Sequence, residues 1–225
     1  MDFGDLAKDN TVLLQLFGVI GKYDKCVGID FLHSSCTGEE RIFTINLFDQ
    51  VLNSQIIKGM NQIVEIGMPN NALTIKADKN GKSPFFIFPN LTSFDFQDVE
   101  IIEDFAFDSI KKLKSTRYNY DMLYMRKVKS VGNNAFRGCE NLSFVTFQNK
   151  KVETIGDFAF CNCDTLQYIS FYYSPPPDLG ESAFLGTTPG NFIIRCEYLK
   201  PYETWLLNNA SKFNNDAKDI VIHYF

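Results

Sequence analysis

The stretch Val152-Glu-Thr-Ile155-Gly156-Asp-Phe-Ala159-Phe160-Cys161-Asn-Cys163-Asp-Thr-Leu166-Gln-Tyr168-Ile169-Ser-Phe171 decides the fold. Its second half, Leu166-x-x-Ile169-x-Phe171, alternates apolar positions among β-favouring residues, which predicts a short strand. In its first half Gly156 suits a sharp backbone turn. Ala159-Phe160 then sets a small side chain beside a large one. The small one lets neighbouring layers approach, and the large one fills the space between them.

Outward from this stretch the same order returns. Ala-Phe recurs as Ala106-Phe107, Ala135-Phe136 and Ala183-Phe184, so the alanines at 106, 135, 159 and 183 fall 29, 24 and 24 residues apart. The strand pattern recurs as Leu91-Thr-Ser-Phe94-Asp-Phe96 and Leu142-Ser-Phe144-Val145-Thr-Phe147, with Leu113-Lys-Ser-Thr116-Arg117-Tyr118 as a degenerate copy. Two patterns in phase mark an internal repeat. A unit of about 24 residues cannot bury its apolar face alone, so copies must stack into a shared core. The surplus of phenylalanine, 22 residues in 225, follows from one ring per unit.

The order φ-x-x-Ile-Gly-x-x-Ala-Phe-x-x-Cys-x-x-Leu-x-x-φ-x-φ, filled by Val152–Phe171, resembles the BspA-like class of leucine-rich repeats. Pro175-Pro176-Pro177, Ala183-Phe184 and Tyr202-Glu-Thr-Trp205 are similar to the way arrays of that family end. The resemblance covers residues 88 to 207. It implies a repeat solenoid of the α/β leucine-rich type with one short parallel strand per turn. It also implies roles in adhesion and protein contact, including at microbial and protist cell surfaces.

Residues 1–87 carry no Ala-Phe copy, and read as an irregular α/β N-terminal cap or as decayed repeats. There the pattern predicts a helix over Asp49–Met60 and strands at Ile63–Met68 and Leu73–Lys76, joined by the turn Pro69-Asn70-Asn71. Repeats occupy 88–198. A capping helix over Leu199–Phe213 and a last strand at Ile220–Tyr224 fill 199–225, since a solenoid needs ends that cover its core.

Charge and composition narrow the function. A net charge of −5 argues against a nucleic-acid partner, which calls for a basic face. No run approaches the 18 or so apolar residues of a membrane span. The apolar run Val12–Ile20 is preceded by Asp2, Asp5 and Asp9, the wrong charge for a secretory n-region, which favours a cytoplasmic setting with the cell surface as the family's alternative. Cys26, Cys36, Cys139, Cys161, Cys163 and Cys196 do not space as a disulfide framework. Cys139 and Cys163 fall at equivalent repeat positions as small core side chains.

Chemistry is sparse. His33 with Cys36 lacks further ligands for zinc, and Cys161-Asn-Cys163 diverges in an extended segment. Gly18-Val-Ile-Gly21 lacks the remaining residues of a phosphate loop. The expectation is therefore no catalytic residue, no metal and no cofactor. What stands out is a surface. In each strand the x positions face away from the core, and one column sets Phe144 beside Tyr168, with Gln148, Tyr172 and Arg117 nearby. Clustered aromatics beside an arginine resemble interface anchors. Cross-strand packing, or cover by the C-terminal cap, is the competing reading. The expected function is a non-catalytic protein-binding module or scaffold using the concave strand face. The alternative is a structural subunit built permanently into a larger assembly.

Overall fold

Long and short strands alternate through most of the chain. The computed structural model of the chain describes residues 10–22, 27–30, 42–43, 53–68, 72–78, 80–114, 122–172, 174–187, 193–196, 199–213 and 220–224. In chain order the elements begin with α1 (Asn10–Ile20), β1 (Val27–Asp30), β2 (Ile42–Phe43), α2 (Ser54–Asn61), β3 (Ile63–Gly67) and β4 (Thr74–Ile75). There follow β5 (Ser93–Asp95), β6 (Ile101–Ile102), β7 (Leu123–Met125), β8 (Ser130–Val131), β9 (Phe144–Phe147) and β10 (Thr154–Ile155). The chain ends with β11 (Tyr168–Phe171), β12 (Asp178–Leu179), β13 (Ile193–Cys196), α3 (Leu199–Asn209) and β14 (Val221–Tyr224).

The long strands form the sheets β1-β3-β5 and β7-β9-β11-β13-β14, and the two-residue strands form β2-β4-β6-β8-β10-β12. Every pairing among them is parallel and in sequence order, which makes the chain a solenoid of stacked coils. From β1 to β12 each long strand is followed by a short strand too brief to show a period in the sequence, whereas β13 and β14 have no short counterpart among the described residues.

A third ladder joins the Ala-Phe segments. Phe107, Phe136 and Phe160 donate their N–H groups to the carbonyls of Ala135, Ala159 and Ala183, at 2.7, 2.8 and 2.8 Å. Phe105 and Ser109 likewise reach the carbonyls of Asn133 and Arg137. Turning alternate N–H groups toward the next coil puts two residues per turn in the left-handed region: Phe105 and Ser109, Asn134 and Gly138, Phe158 and Asn162, Ser182 and Gly186. Asn and Gly take that region readily, whereas a bulky residue costs about 1–2 kcal/mol there. Phe105 and Phe158 are held in it by hydrogen bonds to Asn133 and Glu181.

Inside this ladder the rings stack. Phe85, Phe107, Phe136, Phe160, Phe184 and Phe213 follow one another with centroids 4.7, 4.9, 5.2, 5.4 and 4.9 Å apart. The alanines at 106, 135, 159 and 183 are fully buried beside them. Each buried ring contributes about 2–3 kcal/mol by leaving water, so a ring per turn holds the register of the whole array.

The glycine ahead of three of the four Ala-Phe copies has a reason other than the expected turn. A β-carbon on Gly132, Gly156 or Gly180 would lie 2.5, 2.7 or 2.2 Å from a main-chain nitrogen of the preceding coil. Close approach, and not a positive φ, requires glycine there. Behind Cys139 and Cys163, both fully buried, the thiols donate to the carbonyls of Phe107 and Phe136 at 3.3 and 3.1 Å. Burial pushes both thiols above their ordinary pKa, so they stay protonated.

In the N-terminal part β3 pairs with β5 and β4 with β6, so these strands continue the same sheets. Phe85 extends the ring stack although no alanine precedes it. Ser83 bridges instead: its hydroxyl accepts the Phe85 N–H and donates to the Ala106 carbonyl, at 3.2 and 2.7 Å. The helix expected over Asp49–Met60 begins at Ser54, capped by the Asn53 side chain on the Ile56 N–H. The turn expected at Pro69–Asn71 lies outside the described residues.

At the other end Tyr202 and Trp205 of α3 cover the last coil. The Tyr202 hydroxyl donates to the Ser174 carbonyl at 3.0 Å and the Trp205 indole to the Pro177 carbonyl at 2.6 Å. The expected helix over Leu199–Phe213 divides into α3 and a 3-10 turn, Ala210–Lys212, and the last strand begins at Val221.

Candidate protein-interaction face

The long strands settle which side chains look outward. Val145, Phe147, Ile169, Phe171, Ile194 and Cys196 point into the core and are fully buried. Residues between them look the other way. Phe144 is paired in register with Tyr168, then with Ile193 and Val221. The Phe144 and Tyr168 rings lie 5.7 Å apart, inclined at 52°, and both are half-buried. Parallel pairing, one coil above the next, thus places the two aromatics side by side on the outer face.

Gln148 and Tyr172 follow directly from these strands. Their N–H groups continue the ladder to the Met125 and Phe147 carbonyls, each at 3.0 Å, and both side chains are half-buried. They lie one past the ends of β9 and β11, beyond the ring pair.

Arg117 lies outside the described residues. Of the copy that contains it, Leu113-Lys-Ser-Thr116-Arg117-Tyr118, only Leu113 and Lys114 are described. Leu113 keeps its core place, fully buried, but β7 begins only at Leu123, and Tyr124 is the residue paired with Thr146. The 29-residue step between Ala106 and Ala135 arises here, as extra residues between the core leucine and its strand. The signal for it in the sequence is Leu123-x-Met125, a second apolar alternation within the connection.

A further correction concerns the centre of the face. Thr146 and Ser170 point outward yet are 2% and 1% exposed. Met122 stands two residues before Tyr124, on the same side of β7, and its sulfur receives the Thr146 hydroxyl at 3.1 Å. Thr146 and Ser170 are thus closed to solvent, whereas Phe144 and Tyr168 beside them stay half-exposed.

At the head of the strands the face opens into a pocket of about 370 Å³ lined by Thr92, Lys112, Lys114, Asn141 and Ser143. A larger groove of about 690 Å³ runs between α1 and α2, lined by Leu14, Gly18, Val19 and Ile56 with Lys22 as its one ionisable described residue. Such a lining has no acid–base pair for catalysis. Among the described residues no group of His, Cys, Asp and Glu could hold a metal. No helix of the described residues is long and apolar enough to cross a membrane. Cys139, Cys161, Cys163 and Cys196 are buried thiols that take part in no disulfide, while Cys26 and Cys36 lie outside the described residues.

A family model for the BspA type leucine rich repeat region matches in six copies, over residues 38–127 and 78–214. No curated protein and no solved structure matches.

Proposed function

This chain belongs to the BspA-type leucine-rich-repeat family, a class of protein-interaction and scaffold modules, and from that membership we propose a non-catalytic role in which a protein partner is held on the outer face of the long strands. Phe144 and Tyr168 are its anchors. The observation that carries this is their arrangement: two aromatic rings in register on adjacent strands, half-exposed, on a face whose neighbouring positions Thr146 and Ser170 are already covered. Aromatic side chains held rigidly at a surface are strong interface anchors because little conformational freedom is lost when they bind. Gln148 and Tyr172 extend the contact past the strand ends, and Arg117 belongs to the segment between the coils that carry β5 and β7.

The buried thiols support a reducing, cytoplasmic setting. Cys139 and Cys163 each serve as hydrogen-bond donors to the neighbouring coil, a role a disulfide would remove. The test is affinity capture from source-cell lysate with wild type, Phe144→Asp/Tyr168→Asp, and Leu207→Asp as a surface control on α3, where Leu207 is 73% exposed. All three should be folded by circular dichroism. A defined partner recovered by wild type and control, and lost from the double variant, is the expected result. Recovery of one large assembly by all three would overturn this face and favour a permanently built-in structural subunit.

A further inference from the structure

The pocket at the head of the face carries a charge that no acid among the described residues pairs with. Main-chain bonds fix its walls: the Lys114 N–H donates to the Thr92 carbonyl at 3.0 Å, and the Asn141 N–H to the Lys111 carbonyl at 3.1 Å. Four nearby cations meet acids on the neighbouring coil: Lys111 meets Glu140, Lys127 meets Asp98, Lys129 meets Glu100 and Arg137 meets Asp108, the last through two bonds of 2.9 and 3.0 Å. Lys112 and Lys114 meet no acid among the described residues. The Lys112 ammonium donates to the Asn90 carboxamide oxygen at 2.6 Å, a neutral partner that leaves its charge in place. Among the described residues no carboxylate pairs with Lys114. The nearby Glu140 is already engaged by Lys111 at 2.6 Å.

Two cations therefore line one polar hollow, in a chain of net charge −5, and Ser143 of that hollow directly precedes Phe144. We propose that the partner presents an acidic peptide segment in which an Asp or Glu lies close to a large apolar or aromatic residue. The carboxylate sits between Lys112 and Lys114, with the Asn141 amide and Ser143 hydroxyl lining the same hollow, and the apolar neighbour lies on Phe144 and Tyr168. This rests on the reading of the strand face as the interaction surface, and it names the chemistry that surface selects. Charge complementarity at a rim speeds encounter and rejects wrong partners, while the ring pair supplies the buried contact. A nucleic acid fits less well, because a phosphate backbone calls for a row of free cations and the next ones along are paired.

A random peptide library displayed on phage tests this, selected in parallel on the full chain as wild type, as Lys112→Glu/Lys114→Glu and as Phe144→Asp/Tyr168→Asp, each checked for folding by circular dichroism and gel filtration. Wild type should enrich peptides with an acid near an apolar residue. A synthetic consensus peptide should bind the lysine variant about tenfold or more weakly, weaken in raised salt, and fail on the aromatic variant. A neutral or basic consensus, no enrichment at all, or an acidic consensus bound equally by the lysine variant overturns the inference. So does an oligothymidylate that binds as tightly as the peptide and is lost with the lysines. Peptides that bind the lysine variant and not the aromatic one leave the strand face standing, whereas peptides that bind all three remove both readings.

Discussion

Gly156 lies so close to Asn133 of the preceding coil that a β-carbon on it would stand 2.7 Å from the Asn133 main-chain nitrogen. That same N–H donates to Asp104 Oδ1 at 2.7 Å, and Asn133 Oδ1 accepts the Asp157 N–H at 2.8 Å. Asp157 Oδ1 in turn accepts the Glu181 N–H at 2.7 Å. One side chain per coil thus bridges to the next, and the glycine beside it lets the coils come close enough for the bridge to form.

Replacing Gly156 by Ala therefore forces two coils apart at a place where the obstacle is backbone, which cannot rotate away. The expected loss is about 1–3 kcal/mol, the usual range for overpacking. Urea titration followed by circular dichroism measures it. A variant as stable as wild type would mean that the coils separate there without cost.

Asn133→Ala removes the acceptor for the Asp157 N–H and the side-chain donor to Asp104 Oδ2, which lies 3.2 Å away. Because these groups are exposed, water replaces part of what is lost, and about 1 kcal/mol is expected. Asn133→Asp keeps the acceptor but sets a carboxylate against Asp104. Its deficit should be largest near neutral pH and shrink below about pH 4, where carboxylates take up protons. A deficit independent of pH would show that the two side chains do not meet.

The buried thiols make stability depend on alkaline pH. Burial raises the pKa of Cys139 and Cys163, so the fold keeps both protonated where the unfolded chain ionises them. The unfolded state then binds fewer protons, and stability falls as pH rises above about 8.5, by up to about 1.4 kcal/mol per pH unit for each thiol. Below that range their contribution is fully present. Cys139→Ser/Cys163→Ser keeps a donor for the Phe107 and Phe136 carbonyls and should flatten the slope between pH 8 and 10 in denaturation midpoints. An unchanged slope would assign the pH dependence to other groups.

Trp205, the one tryptophan of the chain, reports on the C-terminal end. Phe213→Ala removes the ring stacked on Phe184 and the edge contact to Trp205, whose centroids lie 4.9 and 6.1 Å from it. A cost of about 3 kcal/mol is expected for truncating a buried ring. Since a solenoid's coils couple chiefly to their neighbours, the Trp205 fluorescence transition should shift to lower urea ahead of the circular dichroism transition. Coincident transitions would mean that the array unfolds as one unit.

Much of this architecture was legible because its period is carried by paired residues. Ala-Phe at 106, 135, 159 and 183 gave the ring stack and its spacing, and Leu91, Leu142 and Leu166 gave the strands that follow. Phe85 was missed because Pro84 stands in the alanine place. There a side-chain hydroxyl, that of Ser83, replaces a main-chain bond, and only the geometry reveals it. The strand at Leu123–Met125 escapes the pattern because the distance from core leucine to strand is not constant, since the connection tolerates inserted residues. For the candidate face, Phe144, Tyr168, Gln148 and Tyr172 could be placed from alternation alone. The cover over Thr146 could not, because Met122 belongs to the displaced strand. Nor could the two lysines of the pocket, since which lysine meets which acid depends on the stacking of coils 22 to 29 residues apart.

The final coil ends by imitation. The Phe184 N–H, which would look for the carbonyl of a further turn, finds that of Lys212 at 3.0 Å, and the Phe213 ring lies on Phe184 at 7° from parallel. Phe213 is itself buried, with α3 behind it through Trp205. Along this ladder a second molecule finds the place of the next rung already taken: Lys212 supplies the carbonyl and Phe213 the ring that a further Ala-Phe would bring.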